Sequence, residues 1–157
     1  GRIKELYVSS GGKNIAPLVI EETMKSIPMV SQCMLIGDGR KYCSALFTLD
    51  VGAILRDKHG MDPAKIPKDP AVQITTLESF GKTLSDYTDS EEIFNEMQVE
   101  VSRLNGQFSN PEQIKKFTIL PRDLNVDFGE LTPTLKIRRI QIRENWASEI
   151  ESMYEGA

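Results

Sequence analysis

Three cations, Lys136, Arg138 and Arg139, stand within four consecutive positions where the last strongly periodic segment begins. Read as a helix starting near Ile137, that segment would hold all three in or beside its first turn. A helix N-terminus carries partial positive charge, and its first N–H groups lack intrahelical partners. Cations there oppose the dipole, each at a cost of a few tenths to about 1 kcal/mol. A bound anion would reverse the sign. Free N–H groups, the dipole and Lys or Arg side chains together make a phosphate or carboxylate site. The preceding Gly129-Glu130-Leu131-Thr132-Pro133-Thr134 gives a flexible, hydroxyl-bearing lead-in. The same spacing also fits a solvated basic face with its charges paired to Glu144, and residue types alone do not separate the two.

The second unusual stretch is Gly1 to Glu21. It holds Arg2, Lys4, a short strand pattern, Gly11-Gly12, Lys13 and a helix led by Pro17. Adjacent glycines let another backbone or a ligand approach closely. The spacing is neither the G-x-x-x-x-G-K-[ST] of a phosphate-binding loop nor the G-x-G-x-x-G of a dinucleotide fold. Taken alone, an ordinary hairpin turn accounts for it. Other reactive types are sparse. His59 is the only histidine. It falls at a predicted helix C-terminus and reads as a cap or surface residue, so a His-dependent triad has little support. Cys33 and Cys43 with one histidine do not make a metal site. The acidic run from Asp86 to Glu92 reads as a loop and a helix cap.

The elements that must position these residues follow from periodicity. Residues 4–9 and 13–15 read as short strands around the double glycine. Pro17, Ile20, Met24 and Ile27 repeat at helical spacing, and Pro28 ends that helix. Residues 29–36 and 41–50 read as a hairpin turning at Asp38-Gly39. A two-residue turn there would set Cys33 opposite Ser44 and Cys43 opposite Met34, sending the two thiols to opposite faces. Residues 51–59 read as a helix capped by Gly60, 61–70 as a loop, 71–80 as a weak helix and 81–88 as a loop. Ser90 or Asp89 caps the clearest helix, striped by Ile93, Phe94, Met97, Val101 and Leu104. A helical turn at Asn110-Pro111, a strand over 116–120 and a polar loop over 125–133 follow. A final helix spans about 137–154, with Ile140, Trp146 and Ile150 on its buried side. The order predicts an α+β fold: a small central sheet flanked by helices, an N-terminal two-stranded hairpin, and a helical insertion over 51–112.

Size and composition set the bounds. The chain has 157 residues, 39% hydrophobic and 27% charged, with a net charge of −4, which suits one soluble globular domain. An acidic balance argues against a dedicated nucleic-acid binder. No apolar run approaches the ~20 residues that span a bilayer. The opening, without Met and directly into a patterned segment, reads as a domain boundary.

At the two unusual stretches the sequence resembles a known family. GRIKELYVSSGGKNIAPLVIEE is similar to the hinge motif of the adenylate-forming (AMP-binding) superfamily. GELTPTLKIRR resembles the motif carrying that superfamily's C-terminal catalytic lysine. The Thr-Pro-Thr-Leu-Lys form, where smaller relatives usually show Thr-x-x-Gly-Lys, and the long insertion look most like the long-chain and bubblegum-type fatty acyl-CoA synthetases. The resemblance implies that residues 1–157 are the C-terminal lid domain of such a ligase, of the acyl-CoA synthetase C-terminal type. Residues 1–15 would be hinge and hairpin, 51–112 the insertion and 113–157 the catalytic-lysine segment, with the N-terminal domain absent. It further implies activation of a fatty acid by ATP and Mg2+ to acyl-AMP. Rotation of the domain and thioester formation with coenzyme A would follow. By the same resemblance Lys136 would be catalytic, Arg2 a nucleotide contact and Lys4 the hinge, while Gly11 and Gly12 would line the pantetheine tunnel, with no metal ligand in this part. Its partners would be its own N-terminal domain and the substrates, in the cytoplasm or peripheral to a membrane, and the isolated piece would be inactive. Two other readings stand beside it: a non-enzymatic module binding an anionic ligand through the basic helix start, and an adenylation domain that loads a carrier protein.

Overall fold

The computed structural model describes residues 5–157. A two-stranded hairpin comes first, β1 (Tyr7–Val8) against β2 (Asn14–Ile15), followed by helix α1 (Pro17–Met24). Strands β3 (Val30–Ile36) and β4 (Cys43–Leu49) pair antiparallel, and β5 (Ile114–Ile119) joins β4 in parallel, giving the order β3-β4-β5. Between β4 and β5 lie α2 (Val51–His59), α3 (Pro70–Ser79), α4 (Ser85–Thr88) and α5 (Glu91–Asn105). The chain ends in α6 (Arg139–Asn145) and α7 (Ala147–Ser152).

Strand β4 is the centre of the molecule, and every one of its residues is buried. Its pleat sends Cys43, Ala45 and Phe47 to one face, where α1 and α5 cover them with Ile20, Met24, Met97 and Val101. Leu46 points to the other face and packs with Met34, Ile36, Ile142, Trp146 and Ile150. The sheet is thus covered on both sides, and the second face of β4 buries Leu46 between Ser44 and Thr48, whose hydroxyls donate to Tyr154 and Asp123. Each large side chain so buried contributes about 1.5–3 kcal/mol. The helical segment between β4 and β5 is no appendage: α5 closes the main core, and its exposed-edge Phe94 stacks on Phe117 of β5 at 4.4 Å.

The local signals act as their chemistry dictates. Pro17 opens α1, Asp50 caps α2 through Ala53 N, Gly60 ends it at φ 66°, and Ser90 caps α5 through Ile93 N. Five expectations are corrected. The segment 81–88, expected as a loop, contains α4. The hairpin turn is longer than two residues: Cys33 faces Phe47 and Ile36 faces Ser44. The reason is that the turn serves β1, with Val8 N donating to Asp38 Oδ1, Gly39 N to Val8 O, and Ser10 N to Arg40 O. The three-residue change of register reverses the parity, so both thiols lie on the same face. Both cysteines are buried and free, separated by roughly 13 Å along the sheet at the usual strand rise. Finally, the single last helix is two. It begins only at Arg139 and bends at Trp146, whose φ of −119° leaves the helical region. Ile140, expected inside, is 72% exposed, and Ile142 takes the buried position.

Candidate functional site

Lys136 does not sit in a helix. Leu131 and Ile137 form an antiparallel bridge, and the residues between them make a tight loop. Thr132 organises that loop. Its N–H donates to Lys136 O at 2.8 Å, its carbonyl accepts Leu135 N at 2.7 Å, and its hydroxyl accepts Lys136 N at 3.1 Å. The loop forces Leu135 to φ 67°, the one non-glycine residue with positive φ among those described. A leucine held there stores about 1–3 kcal/mol of strain. Leu135 and Lys136 are both exposed, and no described residue hydrogen-bonds or ion-pairs with the Lys136 ammonium.

The base of this hairpin is anchored by Glu130, which is fully buried. Its carboxylate accepts hydrogen bonds from both terminal nitrogens of Arg122 (2.8 and 2.9 Å), from Asn125 N (3.2 Å), Asn145 Nδ2 (3.0 Å) and Trp146 Nε1 (2.9 Å). Its carbonyl accepts Arg138 N. Burial by itself would push this carboxyl up, but the hydrogen bonds from Arg122, Asn145 and Asn125 outweigh it and hold Glu130 below its ordinary value. The hairpin's own bonds explain the late start of α6. The Lys136 carbonyl, which a helix starting at Ile137 would use, accepts Thr132 N instead, and Arg138 N pairs with Glu130 O, so residues 136–138 run as the hairpin's return arm. Glu130 also explains the bend, since Trp146 is drawn to its carboxylate.

The three cations of the motif therefore have three fates. Arg138 occupies the N-cap position of α6 without a side-chain capping bond, and its guanidinium donates to Gly129 O. Arg139 is buried and turns away from solvent, gripping Glu21 of α1 while its Nε reaches Glu5. Lys136 and Arg138 are both exposed, but the helix start holds only Arg138 and Arg139, with Lys136 two residues before the N-cap on the hairpin arm. An anion-binding face built on all three loses Arg139 to this ion pair.

Around Arg139 the network is continuous. Glu21 also accepts Leu35 N at 2.7 Å, and Tyr7 OH donates to Leu35 O at 2.8 Å. Leu35 belongs to the edge strand β3, so these two side chains satisfy the backbone groups that an edge would leave open. Burial pushes the Glu21 carboxyl up, against the pull of Arg139 and Leu35 N, and pushes the Tyr7 hydroxyl up to about 12. A cleft of about 650 Å³ lies beside this network, bordered by Glu5, Leu18, Glu21, Leu135, Lys136 and Arg139.

The other expected site residues are placed as follows. Gly11 and Gly12 form the exposed tip of the β1–β2 hairpin. Gly12 has φ 82°, which requires glycine for its backbone, whereas a Cβ on Gly11 would meet nothing nearer than Ser9 Oγ at 3.9 Å. Arg2 and Lys4 lie outside the described residues. His59 is not a surface cap: its Nε2 meets Tyr87 OH at 2.5 Å and its ring stacks on Phe80, tying α2 to α3 and α4. Among the described residues no group of three or more potential ligands could hold a metal ion, and no helix is long and apolar enough to cross a membrane. Glu130 and Glu21 were not visible as site residues. Glu130 lies inside the lysine motif, but its bonds come from partners up to sixteen positions away.

Residues 4–65 match the model of the AMP-binding enzyme C-terminal domain. The fold agrees. The A-PCP didomain of carboxylic acid reductase from Segniliparus rugosus superposes with a TM-score of 0.65 over 97% of this chain and 17% of its own, at 17% identity. The adenylation domain of the carboxylate reductase from Mycobacterium chelonae gives 0.65 over 96% and 19%, also at 17% identity. The chain belongs to the AMP-binding, adenylate-forming family, as its C-terminal domain. Within that family it is 34% identical over 154 residues to the long-chain-fatty-acid–CoA ligase FadD15 of Mycobacterium tuberculosis, covering 98% of this chain and 23% of that one. It is 34% identical over 160 residues to the long-chain-fatty-acid–CoA ligase ACSBG1 of Mus musculus, covering 99% and 22%. The chain thus spans a little under a quarter of the length of the curated relatives it matches.

Proposed function

We propose that this chain is the lid of an AMP-forming long-chain fatty acid–CoA ligase, turning against a larger N-terminal domain that holds most of the acyl and nucleotide pockets. The observation that carries the reading is the likeness to such ligases along 98% of this chain. In the reading, residues 1–15 are hinge and hairpin, 51–112 the insertion and 113–157 the segment bearing the catalytic lysine. A fatty acid and ATP, accompanied by Mg2+, give acyl-AMP and pyrophosphate. Coenzyme A then attacks the acyl carbon and AMP leaves.

Lys136 serves the first step. A carboxylate attacking a triphosphate brings like charges together, and an ammonium aimed at the developing charge in a closed site lowers that barrier. Its place on a short, doubly bonded hairpin, beside a buried anchor, suits that role. Arg2 contacts the nucleotide and Lys4 is the pivot. In the second step the tip at Gly11 and Gly12 approaches the pantetheine arm. Nothing inside the domain requires Gly11 to lack a side chain, which fits a constraint imposed from outside it.

The test uses the full-length ligase. Lys136→Ala abolishes ATP–pyrophosphate exchange driven by fatty acid, yet spares thioester formation from supplied acyl-AMP. Equal loss in both half-reactions would contradict the role given to Lys136.

A further inference from the structure

We infer that Leu135 is a positioning residue for adenylation: an apolar anchor, held in a strained backbone conformation, that seats against the wall of the larger domain and fixes the approach of Lys136. The inference rests on the lid reading and adds a residue to it.

Three observations meet at this position. The backbone of Leu135 is left-handed, at φ 67°, a region that a branched, bulky side chain rarely occupies and that glycine or asparagine fills without penalty. Side-chain packing within the domain does little to offset the strain, because Leu135 is 62% exposed. The conformation is also enforced locally, since Leu135 N and Lys136 N are both bonded to Thr132. An outlier of this kind persists where the surroundings over-determine it, and it is a reason to look for a function of the side chain.

Geometry supplies the occupant. Consecutive Cα atoms are about 3.8 Å apart. If the Lys136 ammonium enters a site on another domain, Leu135 enters with it and meets that site's wall. Leu18, 46% exposed, and Ile137 border the same cleft, so Leu135 has apolar companions there among the charged side chains of Glu5, Glu22 and Lys25. The fitting counterpart is an apolar recess on the larger domain, which makes up the remaining three-quarters of the curated relatives' length. An apolar contact beside a catalytic cation also excludes water from the charge it must stabilise.

The experiment uses the full-length ligase with three substitutions. Leu135→Gly relieves the backbone, Leu135→Asn keeps a residue that tolerates the left-handed region but makes it polar, and Leu135→Met keeps the apolar reach. Readouts are fatty-acid-driven ATP–pyrophosphate exchange, thioester formation from supplied acyl-AMP, and the thermal midpoint. The expected result is that L135G and L135N do not lower the midpoint but slow exchange by at least about tenfold, that thioester formation stays within about twofold, and that L135M keeps more than about half the exchange rate. Wild-type exchange in L135G or L135N overturns the inference, as does a parallel fall of both half-reactions or of L135M. Lys136→Ala run alongside separates the levels. Exchange lost there but kept in L135G removes only the role of Leu135, whereas exchange kept in K136A removes the lid reading and this inference with it.

Discussion

Arg139 and Glu21 form a buried bidentate pair, Nη1 to Oε2 at 2.6 Å and Nη2 to Oε1 at 2.7 Å, across 118 positions of sequence. The pair joins the first helix to the arm that carries Lys136, and through Leu35 it also fixes the sheet edge. Removing one member leaves the other charged and buried. Arg139→Met is expected to lower stability by about 3–5 kcal/mol, measured by urea unfolding. Exchanging both residues, as Glu21→Leu with Arg139→Met, should cost clearly less than the two single changes added together. Strict additivity would show that the two groups act independently.

Glu130 sets a dependence on acid. Its folded carboxyl lies below its ordinary value, so the unfolded chain takes up the proton first as pH falls. The stabilisation is complete above the ordinary glutamate range, near ~4.3, and fades as pH drops through that range toward the lower folded value. Glu130→Gln should cost about 1.5–3 kcal/mol at neutral pH, because an amide offers one acceptor oxygen to donors that now share two. It should also flatten the acid limb of a stability–pH curve. An unchanged acid limb would place the linkage on another carboxylate.

The two glycines of the hairpin tip should separate cleanly. Gly12→Ala forces a Cβ into a left-handed backbone and should cost about 1–2 kcal/mol. Gly11→Ala has open space and no positive φ, so it should be neutral or stabilising by up to about 1 kcal/mol. On the proposed lid reading, G11A in the full-length protein should nonetheless slow thioester formation from acyl-AMP while adenylation persists. Normal thioester formation in G11A would remove the tunnel role assigned to that tip.

Much of the architecture was legible because local chemistry and tertiary need agree. Pro17, Asp50, Gly60 and Ser90 start or stop helices as they would in isolation, and the 93–104 stripe packs almost as read, with Phe94 at the rim. What escaped was set by partners distant in sequence. Asp38-Gly39 looks like a two-residue turn, but Val8 and Ser10 claim its backbone and shift the register. The run from Ile137 has helical spacing, but Thr132 takes the carbonyl of Lys136 and Glu130 takes the indole of Trp146. The candidate site divided in the same way. Lys136 was singled out by its motif alone, and its catalytic role stays a proposal. The separation of Lys136 from Arg139, one outward and one locked to Glu21, depends on a helix more than a hundred residues earlier.

The parallel pairing of β5 with β4 bears on the order in which the chain can fold. Cys43 and Ile114 are register partners separated by roughly seventy residues, so the third strand cannot dock until that whole loop closes. The β3–β4 hairpin, by contrast, needs only a few residues between its arms. An early nucleus of β3, β4 and α1 would therefore wait, with the far edge of its central strand open, for α5 and β5 to arrive together. During that interval β4, fully apolar on one face and with Leu46 between Ser44 and Thr48 on the other, is the segment of this molecule most exposed to pairing with the wrong chain.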